Sequence, residues 1–356
     1  MEKIKVLVVD DSLISRKYLT RILEESGKIE VIDTAKDGQE AIEKVKALNP
    51  DVVTLDIEMP RLNGLEALKI IMKEHPTPVV MVSSLTKDGA KETLEALRLG
   101  AVDYISKQDV LSFKTTAKEA RQLLIDKIVA AKDSRIKGRA LRGKVTTAKA
   151  QEEAKPAPTQ KRKLEKMNIK VVAIAASTGG PVALEKVFSG LPLLGVPVMI
   201  VQHMPKTFTG VFANSLSKVS KIKVKEAEDG EELKINQGYL APGGMQMTAQ
   251  KSGSRYLVKV SDKPKTIYTP NADVMFSSVA ETFGDKALCV IMTGMGDDGF
   301  KGLQLVKQKG GVIIAQDKDS CVVWGMPRKP TQTGLADFVV PLDEIASTIS
   351  KIVLGR

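Results

Sequence analysis

The chain has 356 residues, of which 43% are hydrophobic, with 54 Lys and Arg, 43 Asp and Glu and a formal net charge of +11. This length suits two domains of typical size, and no apolar run reaches the roughly 18 residues that a membrane-spanning helix needs. The N-terminus leads directly into a strand-like run without a secretory signal, and only two cysteines, Cys289 and Cys321, are present. We therefore expect a cytoplasmic protein with buried thiols and no membrane insertion.

Five apolar runs alternate with amphipathic helix patterns over the first 110 residues, which predicts a parallel sheet covered by helices on both faces. Functional side chains in such a sheet collect at the carboxyl ends of the strands. The predicted strands are Ile4–Val9, Ile29–Thr34, Val52–Leu55, Val79–Val82 and Ala101–Ile105, and the predicted helices are Ser12–Glu25, Gln39–Leu48, Gly64–Glu74 and Lys87–Leu99, with a fifth beginning near Ser112.

Carboxylates follow two of these strands. Asp10 and Asp11 come directly after the first strand, and Asp56 ends the third. Like charges this close favour a bound divalent cation, and oxygen ligands suit Mg²⁺. One carboxylate is then available as a nucleophile for a phosphoryl group, whose oxygens Ser83 and Lys107 could hold from the ends of the fourth and fifth strands.

Residues 1–125 resemble the response-regulator receiver domain, a flavodoxin-like (βα)5 fold. The resemblance implies that Asp56 is phosphorylated, that Asp10, Asp11, Asp56 and the backbone carbonyl of Glu58 hold Mg²⁺, and that Ser83, Lys107 and Tyr104 respond to the phosphate. The motifs that carry it are Val9-Asp10-Asp11-Ser12, Leu55-Asp56-Ile57-Glu58-Met59-Pro60, Asn63-Gly64, Val82-Ser83-Ser84 and Ile105-Ser106-Lys107.

Nearly all of the excess positive charge lies in one segment. Between Lys127 and Lys170 there are 14 Lys or Arg residues and four Asp or Glu residues, a surplus of 10. The segment is rich in Lys, Ala, Thr and Gln, contains Lys155-Pro156-Ala157-Pro158 and has few large apolar residues. Residues 126–167 are therefore predicted to form a flexible basic linker, and the charge argues against a basic nucleic-acid-binding face on a folded domain.

The βα alternation resumes at Ile169 and predicts a doubly wound α/β domain over residues 168–356. A β-rich stretch between Lys221 and Val260 is predicted to form a small insertion in this domain. The predicted strands of the α/β framework are Val171–Ala175, Val198–Val201, Ala287–Met292, Val312–Ala315 and Phe338–Val340.

Ser177 lies where the first of these strands passes through a glycine-containing turn into a helix. The turn resembles a nucleophile elbow, although Gly-rich turns after strands also bind phosphates, and the turn alone does not decide between the two. A serine nucleophile needs a base. His203, one of two histidines in the chain, follows the next strand at the same edge of the predicted sheet.

A third group should orient the imidazole of His203. The strand Ala287–Met292 is followed by a glycine-containing loop with two adjacent carboxylates, Asp297 and Asp298. Spacing alone does not choose between them, because either could cap the following helix instead.

Residues 169–345 resemble the chemotaxis protein-glutamate methylesterase (CheB) family, an α/β hydrolase-type domain. The resemblance implies that Ser177 is the nucleophile, His203 the base and Asp298 the orienting acid, with the N–H groups of Met295 and Thr178 forming the oxyanion hole. The motifs that carry it are Ala176-Ser177-Thr178-Gly179-Gly180-Pro181, Gln202-His203-Met204-Pro205, Ala241-Pro242-Gly243-Gly244, Met292 to Gly299 and Trp324-Gly325-Met326-Pro327.

The same resemblance implies a substrate and a regulator. The expected reactions are hydrolysis of glutamate γ-methyl esters and deamidation of specific glutamines on the cytoplasmic domains of methylated chemoreceptors, without a cofactor for the hydrolase step. A chemotaxis histidine kinase is the expected phosphodonor, and the unphosphorylated receiver is expected to cover the hydrolase site.

Two other functions compete with this interpretation. A receiver joined to a DNA-binding output is supported only by the basic linker, and no helix-turn-helix pattern follows it. The other is a serine hydrolase that acts on small esters rather than on receptors.

Overall fold

The computed structural model describes residues 2–84, 86–111, 117–134 and 163–356. Contacts divide the chain into two compact units, residues 1–148 and 149–356. None of the helices in the described ranges combines the length and apolar character needed to cross a bilayer. Both cysteines are buried, as expected from the sequence.

The described part of the first unit contains a five-stranded parallel sheet with the order β2-β1-β3-β4-β5. Its central strand β3 is buried along its whole length, as expected for a sheet covered on both faces. The strands are β1 (Ile4–Val9), β2 (Ile29–Ala35), β3 (Val52–Asp56), β4 (Val79–Ser83) and β5 (Asp103–Ser106), and the helices are α1 (Leu13–Glu25), α2 (Gly38–Leu48), α3 (Gly64–Glu74), α4 (Lys87–Arg98), α5 (Lys107–Leu111) and α6 (Ala117–Lys132).

The end of this unit differs in detail from the sequence prediction. A short helix, α5, follows β5 directly, and the predicted helix start near Ser112 lies outside the described residues. Helix α6 runs to Lys132 and so continues past residue 126, where the linker was predicted to begin. Residues 135–162, most of the predicted linker, also lie outside the described residues.

Side-chain caps explain where many of the helices begin. Ser12, Asp37, Asn63 and Thr86 each accept a hydrogen bond from the backbone N–H three residues further on, at the starts of α1, α2, α3 and α4. These contacts satisfy N–H groups that have no partner inside the helix.

The described part of the second unit contains a seven-stranded parallel sheet, β14-β13-β12-β6-β7-β9-β8, and an antiparallel hairpin, β10-β11. The β-rich stretch is thus divided, because two of its strands extend the main sheet and the others form the hairpin. The strands are β6 (Val171–Ala176), β7 (Val198–Gln202), β8 (Lys223–Glu226), β9 (Gln237–Leu240), β10 (Gln246–Ser252), β11 (Arg255–Ser261), β12 (Ala287–Ile291), β13 (Val312–Gln316) and β14 (Phe338–Val340), and the helices are α7 (Gly180–Gly190), α8 (Lys206–Val219), α9 (Ala272–Phe283), α10 (Phe300–Gln308), α11 (Arg328–Gln332) and α12 (Leu342–Leu354).

The strand order reverses at β6. The chain leaves β6 towards β7 on one side, whereas β12 on the other side leads away to β13. In open α/β sheets the crevice at such a point, outside the carboxyl ends of the strands, is the usual ligand site. The loops after β6, β7 and β12 meet at this edge.

Candidate active site

Ser177 lies in the turn between β6 and α7. Its N–H donates to the carbonyl of Thr293 at 3.0 Å, and its carbonyl accepts from the N–H of Gly180 at 2.7 Å. Helix α7 starts at Gly180, so the serine precedes a helix N-terminus with its partial positive charge. The backbone of Ser177 is therefore held by hydrogen bonds at both its N–H and its carbonyl.

His203 follows β7 and contacts Ser177 directly. Its Nδ1 atom lies 3.2 Å from Ser177 Oγ, and its Nε2 atom lies 2.7 Å from Oδ2 of Asp298. An ionised carboxylate can only accept, so Nε2 carries the proton that is donated to Asp298. The Nδ1 lone pair is then left to accept the hydrogen bond from the Ser177 hydroxyl.

Asp298 is buried and lies at the N-terminus of α9. Its carboxylate accepts the N–H groups of Ala272, at 2.7 Å, and Asp273, at 3.1 Å, in addition to Nε2 of His203. Burial acts to raise the pKa of Asp298, but the hydrogen bonds and charge of His203 and the two N–H groups outweigh it, and the pKa is lowered. The carboxylate is thus held in its charged form.

Asp297 takes a different position from its neighbour. Its carboxylate pairs with the ammonium group of Lys329, and its side chain is 60% exposed. Of the two adjacent carboxylates, Asp298 is thus the one that contacts His203, and Asp297 lies at the surface.

Thr293 joins the loops after β6 and β12. Its hydroxyl donates to the carbonyl of Thr178 at 3.0 Å, while the N–H of Ser177 donates to its carbonyl. Thr178 and Met295, the two residues whose N–H groups were expected to form an oxyanion hole, lie on these two loops. No acceptor within the described residues takes the N–H of Met295.

Gly294 lies between Thr293 and Met295 and has to be a glycine. A Cβ atom added there would lie 2.8 Å from Cβ of Ser177 and 2.3 Å from Sδ of Met326. A side chain at this position would push the β12 loop away from Ser177.

Gln202 is a site residue that the sequence analysis did not single out. Its side chain is 2% exposed, and its Nε2 group donates to the carbonyls of Ser177, at 3.0 Å, and His203, at 3.2 Å. A Cβ atom at Gly180 would lie only 2.0 Å from Oε1 of Gln202, so the glycine makes room for the amide. One buried amide therefore ties together the main chains that carry Ser177 and His203.

The first unit brings its carboxylates together as predicted. Side-chain oxygens of Asp10, Asp11 and Asp56 lie within 4.8 Å of one another, a donor set that fits a hard divalent cation. The Lys107 ammonium lies 2.7 Å from Asp10 Oδ2 and 2.6 Å from Asp56 Oδ2. Burial raises the pKa of Asp56 to about 6 with a further contribution from Asp10, and Lys107 partly opposes the rise.

The remaining predicted residues of this site lie at neighbouring strand ends. Ser83 is buried, and its hydroxyl accepts from Thr93 Oγ1 at 2.8 Å. Tyr104 is buried on the adjacent β5, and burial raises its pKa. The Glu58 side chain accepts from Ser84 Oγ at 3.2 Å, and the expected metal contact of its backbone carbonyl stays a prediction.

Comparison with known proteins adds family relationships to this geometry. Residues 172–349 match the CheB methylesterase family, and residues 6–112 match the response regulator receiver domain. Proteins named protein-glutamate methylesterase/protein-glutamine glutaminase from Pyrococcus horikoshii and Geobacillus kaustophilus are similar over 99% of this chain. The first is 43% identical and is covered over 94% of its length, and the second is 42% identical and is covered over 99%.

A solved structure agrees with this assignment. The crystal structure of the Thermotoga maritima CheB methylesterase catalytic domain is 39% identical, with a TM-score of 0.50, and the match covers 51% of this chain and 98% of that chain. The chain therefore belongs to the CheB methylesterase family and carries a receiver domain ahead of the catalytic domain.

Proposed function

We propose that this protein hydrolyses glutamate γ-methyl esters and deamidates specific glutamines on chemoreceptors, at a rate set by phosphorylation of Asp56. The single observation that carries the catalytic part is the contact chain from Ser177 through His203 to Asp298. Relatives named for both activities match almost the whole chain, which supports the choice of substrate.

The first half of the reaction transfers the glutamyl group to the enzyme. Ser177 Oγ attacks the ester carbonyl as its proton passes to Nδ1 of His203. The negative charge that develops on the carbonyl oxygen is stabilised by the backbone N–H groups of Met295 and Thr178. The carbon–oxygen bond to the methoxy group then breaks, and the proton on Nδ1 leaves with it as methanol.

The second half returns the enzyme to its starting state. A water molecule gives a proton to Nδ1 of His203 and attacks the acyl carbon. The bond to Ser177 Oγ breaks, and the proton passes back to that oxygen, which releases glutamate. In deamidation the same steps release ammonia in place of methanol.

Asp298 acts on His203 rather than on the substrate. Its carboxylate holds the Nε2 proton and stabilises the imidazolium that forms when Nδ1 is protonated. Two α9 N–H groups also donate to the Asp298 carboxylate, one of them to the oxygen that contacts His203, and so oppose rotation of the carboxylate away from the ring.

The receiver supplies the regulation in this proposal. Asp10, Asp11, Asp56 and the backbone carbonyl of Glu58 would hold Mg²⁺, which would supply positive charge against the incoming phosphoryl group. Asp56 accepts the phosphoryl group from a chemotaxis histidine kinase. Lys107, which already contacts Asp56, pairs with the phosphoryl oxygens, and Ser83 and Tyr104 respond to them.

This assignment also gives the domain boundaries. We place the receiver in residues 1–125, with its last helix extending to Lys132, and the methylesterase domain in residues 168–356, with a linker between them. The protein acts in the cytoplasm, where the methylesterase domain processes the cytoplasmic domains of receptors.

Product analysis by mass spectrometry tests the proposal. A methylated receptor fragment incubated with the protein should show conversion of glutamyl methyl esters, and of specific glutamines, to glutamate. Ser177→Ala should show neither conversion, whereas Ser189→Ala, on the exposed surface of α7, should match the wild type. Unchanged receptor peptides with the wild-type protein would refute the proposed substrate.

A further inference from the structure

We propose that Tyr268 is a positioning residue for His203: its ring stacks on the imidazole and holds it in the plane that joins Ser177 to Asp298. The inference deepens the proposed function, because it assigns a further residue to the same catalytic site. It rests on the stack between the two rings, whose centroids are 4.7 Å apart and whose planes differ by 10°.

The stack acts where the hydrogen bonds of His203 do not. Ser177 and Asp298 contact the two nitrogen edges of the imidazole and so hold it within its own plane. They resist a tilt of the ring out of that plane only weakly, because both contacts are at the rim. An aromatic ring against one face opposes this tilt and excludes water from that face.

The stack also favours the charged state of the ring. When His203 takes the serine proton it becomes a cation, and the negative face of an aromatic ring attracts a cation placed over it. Tyr268 therefore supports the imidazolium from its face while Asp298 supports it from its edge.

The segment that carries Tyr268, residues 264–271, is held by hydrogen bonds to the buried side chain of Gln246. The amide Nε2 of Gln246 donates to the carbonyl of Pro264 at 3.0 Å and to Thr266 Oγ1 at 2.8 Å, and its Oε1 accepts from the N–H of Asn271 at 3.0 Å. The Thr266 hydroxyl in turn donates to the carbonyl of Tyr268. Both ends of the segment are thus tied to one buried side chain.

The same segment leads directly into α9. Asn271 caps that helix, and the next two N–H groups, those of Ala272 and Asp273, hold Asp298. One stretch of chain therefore carries both the ring that stacks on His203 and the N–H groups that hold Asp298 at the edge of His203.

The hydroxyl of Tyr268 and its ring have separable roles. A Cβ atom at Gly296 would lie 3.9 Å from the Tyr268 hydroxyl oxygen, so the hydroxyl lies near the loop after β12. The stack itself needs only the ring. Tyr268→Phe should therefore keep the positioning role, and Tyr268→Leu should lose it.

The test compares these two variants with Ile267→Ala, a matched control whose side chain is 94% exposed on the same segment. Methanol release from a methylated receptor fragment gives kcat and KM. Tyr268→Leu should lower kcat about tenfold with KM within about twofold of the wild type, because the ring is misplaced but substrate contacts remain. Tyr268→Phe should restore kcat, and Ile267→Ala should leave it unchanged.

A second readout separates this inference from the proposed substrate. Sulfonylation of Ser177 by phenylmethylsulfonyl fluoride needs the same base but no receptor, and it should slow about tenfold in Tyr268→Leu and not in Tyr268→Phe. If the wild type released no methanol, the proposed function would fail, and the sulfonylation rates would still decide the role of Tyr268. A Tyr268→Leu protein with wild-type kcat and sulfonylation rate, or with a change in KM alone, would overturn the inference.

Discussion

The Nε2 atom of His203 lies 2.7 Å from Oδ2 of Asp298, and the opposite nitrogen of the ring, Nδ1, faces Ser177. The histidine thus uses Nδ1 towards the serine and Nε2 towards the acid. The neutral ring is therefore expected to be the Nε2–H tautomer.

Nitrogen-15 NMR tests this tautomer directly. The chain has only two histidines, so a His75→Gln variant leaves His203 as the single imidazole in the spectrum. At a pH where the ring is neutral, we expect the protonated-nitrogen signal from Nε2. A proton on Nδ1 would mean that the ring binds Ser177 and Asp298 in a different way.

Asp298→Asn should lower kcat for methyl-ester hydrolysis by about 10³-fold or more, since an amide cannot enforce the Nε2–H tautomer or stabilise the imidazolium. Asp297→Asn is the matched control: it removes the neighbouring carboxylate, which pairs with Lys329 at the surface, and should leave kcat within about twofold. Equal losses in the two variants would contradict the assignment of Asp298.

Gln202→Leu should lower both stability and turnover. Removal of the amide takes its donor from the carbonyl of His203 and one of two donors from the carbonyl of Ser177, which keeps the N–H of Gly180, a loss of about 1–3 kcal/mol in the free energy of unfolding. Gln237→Leu removes a comparable amide that donates to the carbonyls of Lys223 and Gly238 at the sheet edge. Urea unfolding and methanol release should show the stability loss and the kcat loss together only in Gln202→Leu.

The raised pKa of Asp56 predicts that the stability of the receiver depends on pH. Its pKa rises from 3.8 to about 6 in the folded state, so the folded protein binds the proton more tightly than the unfolded chain does. The free energy of unfolding should therefore fall as the pH rises from about 4 to 6, and then stay low. Asp56→Asn should remove this loss and stabilise the receiver at pH 7 by up to about 3 kcal/mol, the upper bound set by the shift.

Urea unfolding with a chelator present, at pH 4 and pH 7, measures the difference. Asp33→Asn is a suitable control, because Asp33 pairs with Lys44 at the surface and its pKa is lowered rather than raised. A stabilisation by Asp56→Asn that is as large at pH 4 as at pH 7 would show that ionisation of Asp56 is not its cause.

Phosphorylation should act through the same residue. A small phosphodonor with Mg²⁺ should raise methanol release by the wild-type protein, and Asp56→Asn should keep the basal rate but lose the response. Asp33→Asn should respond like the wild type. A full response in Asp56→Asn would place the phosphoryl acceptor elsewhere.

The parts of the site that the sequence predicted share one physical origin. Parallel strands bring their carboxyl ends to one edge, so Asp10 and Asp56 in one unit, and Ser177 and His203 in the other, could be expected to meet from strand order alone. The choice of Asp298 over Asp297 could not be made by spacing, because it depends on which carboxylate the first N–H groups of α9 can reach.

The missed residues depend on tertiary contacts that leave no local pattern. Gln202 directly follows the predicted strand Val198–Val201, and only the close approach of Gly180 in the structure shows that its amide lies against the turn. Tyr268 lies between two prolines in a stretch with no helix or strand period, and nothing in that stretch indicates contact with His203. Likewise β8 and β9 were predicted to belong to an insertion, because the pairing of β9 with β7, which brings β8 into the sheet beside β9, is a long-range contact.

The central claim is that Ser177 is the nucleophile of a protein-glutamate methylesterase, and methanol release from methylated receptor membranes tests it most directly. The account predicts steady release by the wild-type protein, faster with phosphodonor and Mg²⁺, and a fall to the uncatalysed rate in Ser177→Ala under both conditions. Release by Ser177→Ala at the wild-type rate would contradict it.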